Sequence, residues 1–162
     1  MINFSLFCKS NHWPARKKKV ELIINKILKY KKDLHFSINI NYACSIILAD
    51  DILLKKINTR FRNKKKSTDV LTFISDTKAT NIKKQRICDI FLSADIIKKD
   101  AMYNKITFYD HLAHILIHSF LHINGFEHKK YAMGASQTST TNKKLLQKFD
   151  LRHFIEQKTI EY

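Results

Sequence analysis

At 162 residues, 44% of them hydrophobic, the chain is long enough for one well-buried core and short for two, so a single domain over residues 1–162 is expected. Lys and Arg number 30 against 14 Asp and Glu, a formal net charge of +16, and such a field draws polyanions such as RNA, DNA or an anionic membrane surface. A nucleotide-composition bias towards Lys, Ile and Asn is the bland alternative for part of this excess, and no apolar run approaches the roughly 18 residues of a membrane span.

The N-terminal stretch carries its charges after its apolar part, the wrong order for a secretory signal, so a cytoplasmic location is expected. Residues 1–7 suit a short strand. Pro14 sits where a helix favours its first residue, and Val20, Ile23, Ile24, Ile27 and Leu28 follow at helical spacing with lysines between them. The alternation in LHFSINI, residues 34–40, and the apolar run SIILAD predict at least one strand. Asp50 and Asp51 can open a helix through Phe61, because carboxylates in the first turn accept orphan N–H groups. Cys8, Cys44 and Cys88 are odd in number and lack a CxxC pair, which predicts reduced thiols with no disulfide partner and no thiolate zinc site.

A basic loop over residues 63–67 precedes two β-branched and aromatic runs, residues 70–74 and 87–93, which predict strands. The polar stretch between them, residues 75–86, predicts a mobile loop. Ser93 or Asp95 can start another helix, residues 107–123 show a helical pattern with Leu112, Ile115, Leu116, Ser119 and Ile123 on one side, and residues 142–154 predict a last helix. Strands early and helices late, without regular alternation, predict an α+β domain.

The stretch HSFLHINGFEH places His118 and His122 one helical turn apart, so their rings share a face. Gly125 can leave the helix in a left-handed conformation and turn the chain so that His128 returns to the same point. Three imidazoles with one open position are the donor set of catalytic zinc. An isolated histidine is usually exposed or satisfied by packing, but this double spacing with glycine in the turn is much rarer. The spacing HxxxHxxGxxH also belongs to a class of zinc proteases that place glutamate after the first histidine as general base. Here that residue is Ser119, whose hydroxyl cannot act as a base near neutral pH, so peptide hydrolysis is disfavoured. An ion held in a strongly basic molecule can instead activate water towards phosphorus while a guanidinium stabilises the developing charge.

The other informative stretch is NTRFRNKKKSTDVLTF, in which Arg60, Arg62, Lys64, Lys65 and Lys66 crowd one segment. A solvated turn is the bland reading of such a charge run. Arg62 offers the planar fork that phosphate oxygens suit.

Together the two stretches resemble the YbeY family, bacterial metal-dependent endoribonucleases of ribosomal RNA maturation. Asn58, Phe61, Arg62, Lys64, Thr68, Asp69, Val70, Leu71 and Phe73 fall on its first motif, and His118, Leu121, His122, Gly125, Phe126, Glu127 and His128 on its second, with Asp89 and Ile90 matching a strand between them. The resemblance implies a small mixed sheet of about four strands flanked by helices, with a zincin-like metal-binding helix across it. It implies one Zn²⁺ on His118, His122 and His128, Arg62 in catalysis, and ribosomal RNA or a ribosomal subunit as partner. Arg60, Lys64, Lys65 and Lys66 would then contact RNA. Ser67, Ile74, Cys88 and Ser119 depart from the family pattern, and the match weakens beyond His128.

Around these ligands, His114 can orient His118 or the substrate, or merely pack, and Asp69 can accept from a ligand imidazole or satisfy strand-start donors. Ser119 can narrow the cleft or reach a backbone carbonyl one turn back. Trp13 beside Pro14 suits a hydrophobic staple better than a base-stacking role. The expectation is a metal-dependent endoribonuclease acting on single-stranded RNA. Its rival is an RNA-binding ribosome-assembly factor that does not cut and whose metal is structural.

Overall fold

The computed structural model describes residues 1–13, 16–77 and 84–126. The readings placed on Pro14, on the third ligand His128, and on the helix at 142–154 lie outside the described residues. Eight elements follow in order: β1 (Ile2–Cys8), α1 (Lys17–Leu28), β2 (Ile40–Ala49), α2 (Asp51–Arg62), β3 (Val70–Thr77), β4 (Lys84–Ser93), α3 (Ala94–Tyr103) and α4 (Phe108–Ile123). The sheet runs in the order β1-β2-β4-β3, with β1, β2 and β4 parallel and β3 antiparallel to β4. This is the α+β architecture with a four-stranded mixed sheet that the sequence predicts.

The two faces of the sheet are filled separately because strand side chains alternate. Cys44, Ile46, Leu48, Cys88, Ile90 and Leu92 join the core that holds α1 and α4, while Ala49, Leu71, Phe73 and Phe91 meet Leu54 of α2 on the other side. In α1, Val20, Ile23, Ile24 and Ile27 are all buried, each contributing about 1.5–3 kcal/mol relative to exposure. Trp13 is a core residue, packed on α4 and not exposed for base stacking. It is fully buried, its Nε1 donates to the Ala49 carbonyl at 2.6 Å, and its ring meets Phe108 at the start of α4 edge-on at 5.7 Å.

Three helix starts carry side-chain caps, two of them at the expected Asp50 and Ser93. Asp50 accepts from the Leu53 N–H at 2.9 Å, Ser93 from Ile96 at 3.3 Å, and Thr107 from Asp110 at 3.1 Å. The expected strand is β2 alone, which the alternation before it does not join, and one other expectation needs correction. Residues 34–38 form turns and irregular backbone, and β2 starts at Ile40; Leu34 is buried and His35 takes a positive φ of 59°, so the alternation there came from a turn packed on the core. The stretch 75–86 is also mostly strand at both ends. Ser75, Asp76 and Thr77 pair with Ile87, Arg86 and Gln85, and the charged pair Asp76–Arg86 offsets the low apolar content that suggested a loop.

Candidate metal and nucleic-acid site

Helix α4 is buried along Leu112, Ile115, Leu116, Ser119 and Ile123, and this packing leaves His118 and His122 half-buried together on its other side. Their Nε2 atoms lie 2.8 Å apart, with ring centroids 4.3 Å apart and planes nearly perpendicular. A tetrahedral ion with nitrogens at about 2.0–2.1 Å needs its ligands roughly 3.3 Å apart. The pair reaches that separation by a small ring rotation, so its donors fit a divalent ion of the zinc type.

Ser119 turns away from this pair. Its hydroxyl is buried and donates to the Ile115 carbonyl one turn back at 2.9 Å. Gly125 takes a φ of 87°, its N–H bonds the His122 carbonyl at 3.0 Å, and the Phe126 N–H bonds Leu121 at 3.1 Å. That is the Schellman stop, which turns the chain sharply just after His122. Asn124 adds to it by donating to the Leu34 and Phe120 carbonyls at 2.8 and 3.0 Å, while its Oδ1 accepts from the Tyr42 hydroxyl at 2.9 Å.

One turn and more upstream, a second group of ligand-type atoms gathers. Asp69, Asp100 and His111, all half-buried, bring an atom each within 4.8 Å of one another, so these residues too could hold a cation after closing up by an ångström or more. The Nε2 of His111 is buried and finds no hydrogen-bond partner among the described residues. Asp69 accepts from the Val70 N–H at 2.8 Å and from the Thr68 hydroxyl at 3.1 Å, the strand-start use of this carboxylate. His114 stacks 6.5 Å from His111. Burial first, then the neighbouring His111, hold the His114 imidazole below its ordinary range, against the pull of Asp69. Its ring is therefore neutral near pH 7. Sequence reasoning had Asp69 and His114 but missed Asp100, a mid-helix acid in α3 whose role depends on how α3 packs against α4.

The basic segment is the exposed end of α2 and the loop after it. Asn63 ends the helix in the left-handed region with φ 53°, and Arg60, Arg62, Lys64, Lys65 and Lys66 are exposed. Buried Asn58 donates to the Lys66 carbonyl at 2.8 Å, and Ser67 donates to the Asp51 carbonyl at 3.2 Å, so both ends of the loop are tied to α2. The loop then leads directly into Asp69. Arg62 and the histidine pair stand on helices packed against opposite faces of the sheet. The exposed Phe61 ring rests edge-on against Phe73 at 5.5 Å, with the Arg60 guanidinium 5.5 Å from its centroid.

No helix among the described residues is long and apolar enough to cross a membrane, and Cys8, Cys44 and Cys88 are free thiols.

Residues 6–150 match the family described as Endoribonuclease YbeY. The chain is similar to the Endoribonuclease YbeY of Ehrlichia ruminantium strain Gardel, 32% identical with 99% of both chains covered. It is also similar to that of Wolbachia sp. subsp. Drosophila simulans strain wRi, 38% identical with 67% of both covered. A solution structure of a Thermotoga maritima protein aligns with a TM-score of 0.60 at 18% identity, covering 99% of this chain and 97% of the other, a likeness of fold.

Proposed function

The chain belongs to the YbeY endoribonuclease family, and from that premise we propose that it is a metal-dependent endoribonuclease that cuts single-stranded ribosomal RNA during maturation. The observation that carries the reading is the 2.8 Å approach of the His118 and His122 Nε2 atoms, immediately followed by a tight turn at Gly125. His118, His122 and His128 would hold one Zn²⁺, which when bound supplies a Lewis acid that activates water and offsets phosphate charge.

The chain's own residues do the rest. Arg62 ends α2 on the face of the sheet opposite the histidine pair, but the loop after it leads into Asp69, which meets His111 of α4. From that end its planar fork would hold non-bridging phosphate oxygens and steady the charge that grows on them as the phosphodiester is attacked. Arg60, Lys64, Lys65 and Lys66 bind the backbone beside the scissile bond without reading its sequence, as phosphate contacts do. Asn58 keeps that loop closed on α2. The neutral His114 ring, one turn before His118, orients the first ligand or the substrate.

The test is cleavage of ribosomal precursor RNA by wild-type, His118→Ala and Arg62→Ala protein, each with and without a chelator. Products are expected from the wild type alone, and only without chelator. Full cleavage by either variant overturns the mechanism. Retained RNA without products from the wild type favours the assembly-factor reading.

A further inference from the structure

The last four carbonyls of a helix have no partner inside it. In α4 they are all taken: Phe120 accepts from Asn124, Leu121 from Asn124 and Phe126, His122 from Gly125, and Ile123 from a guanidinium of the sheet. That guanidinium belongs to Arg86 of β4. Its Nη1 donates to the Ile123 carbonyl at 2.6 Å, while its Nε and Nη2 donate to the two oxygens of Asp76 on β3 at 2.6 and 2.8 Å. The Arg86 side chain is 17% exposed and its contact with the Ile123 carbonyl is partly buried, while its bonds to Asp76 lie at the surface. Asp76 sits directly opposite Arg86 in the β3–β4 register, Tyr42 directly opposite it in β2–β4, and Tyr42 holds Asn124. One polar row across three strands therefore grips the end of α4, one residue past His122.

We propose that Arg86 is a positioning residue for the metal site. Locked on Asp76, it fixes where the chain leaves α4, and so sets His122 and the turn that follows it. A bidentate guanidinium has little freedom left. The carbonyl it holds lies next to a ligand residue, which gives it the role that groups behind the ligands play in metal sites. The inference rests on His118, His122 and His128 being the ligands.

Zinc affinity by competition with a chromophoric chelator, and the visible spectrum of the Co²⁺-loaded protein, are measured for wild type, His118→Ala, Arg86→Met, Arg86→Lys, Asp76→Asn and Trp13→Phe. Arg86→Met is expected to bind zinc about 10–100-fold more weakly, with a changed cobalt spectrum. Asp76→Asn and Arg86→Lys are expected to lose less, and they carry the test if Arg86→Met does not fold. Trp13→Phe disturbs the opposite end of α4 and should lower stability while leaving zinc affinity unchanged. Folded Arg86 and Asp76 variants with wild-type affinity and spectrum overturn the proposal, as does an equal loss in Trp13→Phe. If the wild type binds no zinc, or His118→Ala binds it equally well, the ligand reading itself fails, and the role of Arg86 with it.

Discussion

The Nε2 atoms of His118 and His122 approach to 2.8 Å, near enough to share one proton or one cation but not to carry two positive charges. Acid is therefore expected to separate the rings and to weaken the hold on any ion between them. Zinc affinity is expected to fall as the pH is lowered from about 7.5 to about 5.5, since only neutral imidazoles bind the ion and protons compete with it. A titration series with affinity independent of pH across that range contradicts the pairing.

Ser119 spends its hydroxyl on the Ile115 carbonyl inside α4, and that carbonyl belongs to an intact helical turn. Ser119→Ala removes a bond that competes weakly with the helix and adds a better helix former. The expected change in unfolding free energy is within about 1 kcal/mol, with RNA cleavage preserved. Loss of cleavage in a stable Ser119→Ala protein would give the hydroxyl a role in the cleft that its present bond does not provide.

Asn58 is 2% exposed and holds the Lys66 carbonyl across the base of the basic loop. Asn58→Ala leaves that carbonyl unpaired and releases the loop, at an expected cost of about 1–3 kcal/mol in denaturant unfolding. RNA affinity should fall as well, although no charge is removed. Unchanged stability together with unchanged affinity would mean the loop is held by other contacts.

His114 supplies a pH dependence of stability. Its folded form is held below the 6.5 of the free side chain, so the unfolded chain binds the proton more readily. The contribution is complete above pH 6.5 and is lost as the pH falls from there through the folded value. His114→Gln is expected to flatten the stability curve over that interval in urea titrations. A curve of unaltered slope contradicts the shift.

What was legible in the sequence follows the local rules. His118 and His122 could be paired because 3.6 residues per turn fixes i and i+4 on one face, and Gly125 could be read as the helix stop because its left-handed φ suits no other residue as well. Asp50 and Ser93 were visible as caps for the same local reason. Asp76 and Arg86 were not, because only the strand register sets them opposite one another, and their polarity resembles a loop. Residues 34–39 imitated a strand since a buried Leu34 and the turn beside it produce the same alternation. The meeting of Asp69, Asp100 and His111 depends on three elements packing together, and no spacing encodes that.

The most direct measurement is a crystal structure of zinc-soaked protein with anomalous data at the zinc edge. One peak is predicted, about 2.0–2.1 Å from a ring nitrogen of each of His118, His122 and His128, with a fourth position open towards solvent. A peak held by Asp69, Asp100 and His111 instead, or a His128 ring pointing away from an ion on the other two, would contradict the account.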